Sequence, residues 1–307
     1  MLSDLSRSSV LVTGADGFIG SHLIAALLAQ GATVHAVLRP GSTAPRLSTL
    51  GLDPVMHFAD VTEGGAVSAL VAKLRPECVF NLAVCRANDA PDVLEQTNIT
   101  AVLSLLEACT YSSFRRFVTI GSSLEKLALG LKHPKSATPY AHSRARAAKL
   151  IEQQANTLGV PLTHLRTYYV YGPLQQTGKL IPQALRIAGT ATSLPLAPDN
   201  LSKDFVHVRD IVRACIAAVL TDSPDYTVAD IATGQQWSAR DVVCLLEQLT
   251  GKPILTHPDT AMIRAWDKEC WDTDLKRARE LLGWESRICL REGLRDLVAS
   301  EGAPHVP

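Results

Sequence analysis

Short apolar runs alternate with longer stretches of helical spacing along the first half of the chain. Val10-Leu11-Val12 is an apolar run that enters a glycine-bearing turn, after which Ile19, Leu23 and Leu27 recur at helical spacing. Residues 33–38, 55–59, 78–84, 116–120 and 164–169 read as further strands. Helical patterns lie between them, notably over 92–109 and 140–158. This alternation predicts an α/β fold: a doubly wound parallel sheet with helices on both faces. After Gly172-Pro173, proline and glycine become frequent and the strands shorten. Residues 1–172 and 204–231 are therefore assigned to the sheet-bearing domain, and 173–203 and 232–307 to a smaller α/β lobe. Sheets of this kind take ligands beyond the carboxyl ends of their strands. Asp60, Asn81, Ser122 and Tyr168 fall at or near such ends.

The turn after the first strand carries Gly14, Gly17 and Gly20. In a dinucleotide-binding (Rossmann) domain the first such glycine permits the tight turn. The second lets backbone approach a pyrophosphate, and the third lets helix pack on strand. The following helix N-terminus offers unpaired N–H groups and a positive dipole end to the anion. The bland alternative is a glycine-rich strand-to-helix turn of another α/β protein.

Composition narrows the partners. The 307 residues carry 30 Lys+Arg and 30 Asp+Glu, so no net field draws nucleic acid or an anionic membrane. The longest strongly apolar helix stretch, residues 23–29, is far too short to span a bilayer. Residues 1–9 lack the apolar core of a signal peptide, and the seven scattered cysteines form no CxxC pair. A cytoplasmic protein with free thiols is expected. The nine histidines show no ligand spacing, and Asp272 and Asp274 lack companions, so no metal is expected.

Tyr140 and Arg144 are four residues apart near a predicted helix start and share one helix face. A cation there favours tyrosinate and suits the phenol to general acid/base work. Ser122 and Ser123 end the fifth strand and can hydrogen-bond a substrate oxygen. On spacing alone, a surface tyrosine beside a solvated arginine is the more economical reading.

The motifs together change that balance. Residues 13–23 (TGADGFIGSHL), Asp60-Val61-Thr62, Asn81-Leu82-Ala83, Asn98 and Gly121-Ser122-Ser123 lie in order along the chain. Tyr140 with Ser143, Val170-Tyr171-Gly172-Pro173, residues 204–210 (DFVHVRD) and Leu281-Leu282-Gly283-Trp284 follow. In these the chain resembles the extended short-chain dehydrogenase/reductases, chiefly nucleotide-sugar epimerases, dehydratases and ketoreductases. The resemblance implies a pyrophosphate loop at Gly14, Gly17 and Gly20 with Phe18 and Ile19 beside it. It places Asp60 and Val61 at the adenine, Leu82 and Ala83 along the cofactor, and Tyr168 by the nicotinamide. It makes Ser122 the group that polarises the substrate oxygen, with Ser123 as the fallback, and Tyr140 the acid/base. Lys203, and more loosely Arg264, would meet the substrate pyrophosphate. It also implies a homodimer built on helices near 92–110 and 140–158.

Three positions depart from the family pattern. Arg144 stands where lysine is usual. Its charge is permanent, but its planar fork is longer and holds its proton at ordinary pH. Tyr169 stands where many epimerases carry Asn before Val-Tyr-Gly. Ser123 and Leu124 follow Ser122 where 4,6-dehydratases carry an acid, and Glu125 comes one position late.

The second strand ends in Leu38 and Arg39 rather than the acid that bonds an NAD ribose. Guanidinium pairs with a 2′-phosphate, so NADP is expected, with NAD the alternative. The resulting expectation is an NADP-dependent reductase of a keto group on a nucleotide-linked sugar, with Tyr140, Ser122 and Arg144 catalytic. The alternatives are an epimerase with tightly held cofactor and a cofactor-binding protein whose catalysis is lost.

Overall fold

The structure is a computed structural model that describes residues 5–63, 65–85, 89–129, 138–221, 226–263 and 273–300. Arg264 lies outside the described residues. The main sheet takes β1 (Ser9–Thr13), β2 (Thr33–Leu38), β3 (Val55–Phe58), β4 (Cys78–Asn81), β5 (Arg116–Ser122) and β6 (Leu162–Thr167). Three short strands follow in the chain: β7 (Tyr169–Tyr171), β8 (Leu194–Leu196) and β9 (Ser202–His207). Then come β10 (Thr227–Ile231), β11 (Gln236–Ser238) and β12 (Thr256–Pro258). The main sheet runs β10-β6-β5-β4-β1-β2-β3, and every neighbour in it is parallel. Two smaller sheets run β11-β9-β7 and β12-β8. Of residues 204–231, β10 joins the main sheet, whereas β9 pairs with β7 and β11.

The helices are α1 (Phe18–Ala29), α2 (Pro45–Thr49), α3 (Ala66–Leu74), α4 (Pro91–Glu95) and α5 (Ala101–Glu107). Next are α6 (Glu125–Ala128), α7 (Pro139–Leu158), α8 (Leu180–Ile187) and α9 (Val208–Leu220). The last are α10 (Ala239–Thr250), α11 (Leu275–Leu282) and α12 (Leu290–Ala299). None among the described residues is long and apolar enough to cross a membrane.

The strands alternate between two apolar layers, as a sheet covered on both faces requires. Val10 and Val12 of β1 pack with Leu23, Ile24 and Leu27 of α1 and with Ile211, Ala214 and Cys215 of α9. Leu11, between them, faces Val71 of α3, Leu105 and Leu106 of α5 and Ile151 of α7. Each valine, leucine or isoleucine among them, fully buried, stabilises the fold by about 1.5–3 kcal/mol. A third core joins Tyr171, Phe205, Leu185, Leu246 and Leu294 beneath the three-stranded sheet.

Two details shape the site. The helical stretch expected over 92–109 is interrupted between α4 and α5 by one π-helical turn, Gln96–Thr100. That wider turn carries the buried Asn98, and such turns often mark functional positions. The start of α7 is fixed by Thr138, whose Oγ1 accepts the Ala141 N–H at 3.2 Å, and by Pro139 in the first turn. Gly159, at φ 64°, ends the helix.

Candidate active site

Gly14 has φ +63°, and a Cβ on it would stand 2.6 Å from the Leu82 carbonyl carbon and 2.7 Å from the Ala83 nitrogen. The turn is thus pressed against the end of β4. Thr13 Oγ1 donates to Asn81 Oδ1 at 2.7 Å and accepts the Ala83 N–H at 3.3 Å, locking β1 to β4 there. A side chain on Gly20 would meet the Gly14 and Ala15 carbonyls. Gly17 caps α1 without any side-chain cap bond, so the first helix N–H groups face the turn. Asp16 fastens the loop outward: its Oδ1 accepts from the Arg46 and Leu47 amides at 2.8 and 3.0 Å. The Arg46 guanidinium donates in turn to the Leu174 and Asp16 carbonyls. A tight turn, a close strand and an open helix start form a cradle for an anionic diphosphate.

Asp60 and Val61 follow β3 on the same side of the fold. Asp60 Oδ1 accepts both the amide and the hydroxyl of Thr62, at 2.8 and 2.7 Å. These bonds hold its carboxyl below the usual range, and the charge of Arg39 adds to them. Phe18 is buried and stacks edge-on to His22 at 5.8 Å, while Ile19 is partly buried against the core.

Ser122 ends β5. Its amide donates to Glu125 Oε1 at 2.8 Å, and its Oγ accepts the Leu124 N–H at 3.2 Å. Ser123 is buried, with its amide on the Thr167 carbonyl. Tyr140 sits in the first turn of α7, and no described residue hydrogen-bonds its hydroxyl. Burial raises its phenol pKa; Arg144 pulls the other way without cancelling, while Cys85 and Glu125 add to the rise. The simple expectation of a cation-lowered tyrosine is therefore reversed in net sign. At neutral pH the phenol carries its proton.

Arg144 is 5% exposed. Its guanidinium donates to the Ile120 carbonyl and, from Nη1, to Asn98 Oδ1 at 3.3 Å. Its Nε lies 3.8 Å from Glu125 Oε1. Asn98 Nδ2 donates to Ser143 Oγ at 3.0 Å, and that hydroxyl donates to the Tyr140 carbonyl at 2.9 Å. Ser122, Tyr140 and Arg144 are thus joined through Glu125 and Asn98. This is no solvated surface pair.

The two remaining expected residues have partners of their own. Tyr168, between β6 and β7, is buried; its hydroxyl donates to Asp230 Oδ2 at 3.4 Å, and Lys126 lies 6.0 Å from its ring centroid. Lys203 is on β9, its ammonium 5.4 Å from the Tyr169 ring centroid. Sequence reasoning missed the roles of Asn98, Glu125 and His164. Asn98 stands among the motif residues and Glu125 among the departures from the family pattern, but neither position announces its partner, and His164 is a lone histidine within a strand-like segment.

Comparison with known proteins agrees with this geometry. A family model described as the NAD dependent epimerase/dehydratase family matches residues 10–231. The UDP-glucose 4-epimerase of Mycolicibacterium smegmatis is 28% identical, over 94% of this chain and 96% of that protein. The GDP-6-deoxy-D-mannose reductase of Pseudomonas aeruginosa is 26% identical over 94% and 96%. Among solved structures, MoeE5 in complex with UDP-glucuronic acid and NAD superposes with a TM-score of 0.80. It is 26% identical, over 95% of this chain and 98% of that one.

The expectation of NADP is corrected to NAD. MoeE5 holds NAD with either UDP-glucuronic acid or UDP-glucose, and the matching family is NAD dependent by description. The physical reason lies at the end of β2. Arg39 is exposed and its charge falls on Asp60. An exposed cation at this strand end, its charge felt at Asp60, does not by itself amount to a phosphate socket.

Proposed function

Because this chain belongs to the NAD dependent epimerase/dehydratase family, we propose that it is an epimerase of a nucleotide-linked sugar. One carbinol carbon is oxidised to a ketone and reduced again on its other face. The glycine cradle fits NAD: Gly14, Gly17 and Gly20 would hold its pyrophosphate, Asp60 its adenine, and Leu82 and Ala83 its flank. When bound, NAD supplies the acceptor, then the donor, of the hydride. Tyr140 takes the proton of the sugar hydroxyl as the C–H hydride leaves, and returns it to the ketone oxygen. Ser122 Oγ, with Ser123 behind it, hydrogen-bonds that oxygen. Arg144 stabilises the transient phenolate. Lys203 would pair with the substrate diphosphate.

The reading is carried by where Glu125 goes. An elimination of water, as in 4,6-dehydratases, needs an acid on the substrate side. Glu125 is fully engaged inside the protein by Ser122, His164 and Arg144. The test is to incubate the protein with a panel of UDP-, dTDP-, GDP- and CDP-sugars and follow each by NMR. Epimer interconversion without net NADH consumption is expected. Stoichiometric NADH consumption by a keto-sugar, with no epimer formed, would replace this reading by the reductase. That second reading draws on the protonated Tyr140, which is poised to donate.

The cradle makes its own prediction. An L-residue held at left-handed φ costs about 1–3 kcal/mol, and a Cβ at Gly14 also meets backbone. Gly14→Ala should therefore weaken NAD by roughly tenfold or more, read by calorimetry. An unchanged affinity would remove this turn from the cofactor site.

A further inference from the structure

Glu125 is 1% exposed, yet it is the shared partner of three separate elements. Its Oε1 accepts the Ser122 amide from the end of β5 at 2.8 Å and faces Arg144 Nε of α7 at 3.8 Å. Its Oε2 accepts His164 Nε2–H of β6 at 2.9 Å. A carboxylate buried this deeply must be compensated by opposite charge and hydrogen bonds. Here a guanidinium, an imidazole N–H and a backbone amide do so, and they hold the carboxyl below its ordinary range against the cost of burial. Room for the arrangement depends on Gly121. A Cβ there would lie 2.7 Å from Glu125 Oε1 and would collide with the His164 ring. The Leu124 amide on Ser122 Oγ closes the turn. The strand end that presents Ser122 and the side chain of Glu125 therefore form one rigid unit.

We propose that Glu125 is the positioning residue of this site: it ties the strand end bearing Ser122 to the helix bearing Tyr140, and it is the counter-charge that sets how much of the Arg144 cation reaches the Tyr140 hydroxyl. This assignment rests on the epimerase reading, since it presumes the parts given there to Ser122 and Tyr140. It also accounts for arginine at position 144. A guanidinium fork meets the Ile120 carbonyl, Asn98 and Glu125 together, which the point charge of a lysine cannot do. The ionisable groups whose charge acts on Tyr140 are Arg144 from its own helix, Cys85 from the segment after β4 and Glu125 from α6. Arg144 favours the phenolate, and the other two oppose it.

Glu125→Gln isolates the charge. The amide oxygen can still accept the Ser122 N–H, and the amide N–H₂ can donate to His164 in its other tautomer. Only the negative charge is lost, so Arg144 acts on Tyr140 without opposition from that carboxylate. The measurement is ultraviolet difference titration of the full-length protein, with the Tyr140 signal assigned by subtracting Tyr140→Phe. The Tyr140 pKa should fall by roughly one unit, and Glu125→Asp should move it back toward wild type. An unchanged or raised pKa would overturn the proposal, because a purely architectural carboxylate alters stability without that shift. Should Glu125→Gln fail to fold, the double variant with Arg144→Gln removes both charges. Its Tyr140 pKa should lie below that of Arg144→Gln alone, and an equal value would show that Glu125 has no such role. Titration does not depend on turnover. Epimerisation without the shift would sink the Glu125 assignment alone, and the shift without epimerisation would sink the functional reading alone.

Discussion

Replacing Tyr140 with phenylalanine is expected to cut turnover by at least about a hundredfold, the lower end for general acid/base catalysis, with NAD affinity little changed. The variant removes one oxygen and no packing. The ring remains on the first turn of α7, and no described residue loses a hydrogen bond to the hydroxyl. Any loss of rate therefore reports the proton itself. On the epimerase reading, the active form in the oxidative half-reaction is the phenolate. Burial raises the phenol above its ordinary value and Arg144 only partly offsets this, so the oxidative rate should climb with pH across the alkaline range. The reductive half-reaction uses the phenol and should fall over the same range. Steady-state turnover with pre-steady-state absorbance of NADH separates the two. A Tyr140→Phe variant with near-normal turnover would remove this residue from the mechanism.

The sheet was legible because short continuous apolar runs and glycine turns are local signals. Residues 33–38 are read as a strand, and β2 occupies those residues. The readings drift where polar residues end a strand. β4 stops at Asn81 because Leu82 and Ala83 bend over Gly14. β5 continues to Ser122 because β6 pairs with it that far. The π turn at Gln96–Thr100 escapes the helical pattern, since one widened turn leaves the apolar spacing on both sides helical. The Glu125 network is invisible for a different reason. Its partner His164 lies 39 residues away, and no spacing rule joins an acid after one strand to a histidine inside the next. Arg39 shows the opposite failure. Its charge is plain in the sequence, but Asp60, on whose carboxyl that charge acts, comes from beyond another strand.

Arg144→Ala is expected to harm both stability and turnover, and the two losses have separable causes. The guanidinium compensates a carboxylate that is 1% exposed. Breaking such a pair leaves an uncompensated buried charge, at a cost of about 3–5 kcal/mol, which thermal unfolding will read. Glu125 keeps His164 and the Ser122 amide, so the lower end of that range is the better expectation. Turnover should fall by about tenfold or more beyond any loss of folded protein, because an opposite charge nearby shifts a pKa by about 1–3 units. With the cation gone, nothing offsets burial at Tyr140. Its pKa rises further, and the alkaline limb of the oxidative rate moves to higher pH. Arg144→Lys restores a positive charge without the fork. It gives up the joint contact with the Ile120 carbonyl and Asn98, yet should keep turnover well above that of Arg144→Ala. That order, with the limb returning toward wild type in Arg144→Lys, marks a cation that serves the chemistry. If Arg144→Ala were destabilised but turned over normally per folded molecule, the arginine would be a counter-ion to Glu125 and no more. A wild-type protein inert on every nucleotide sugar, with Arg144→Lys active, would instead mark a site whose chemistry the arginine has switched off.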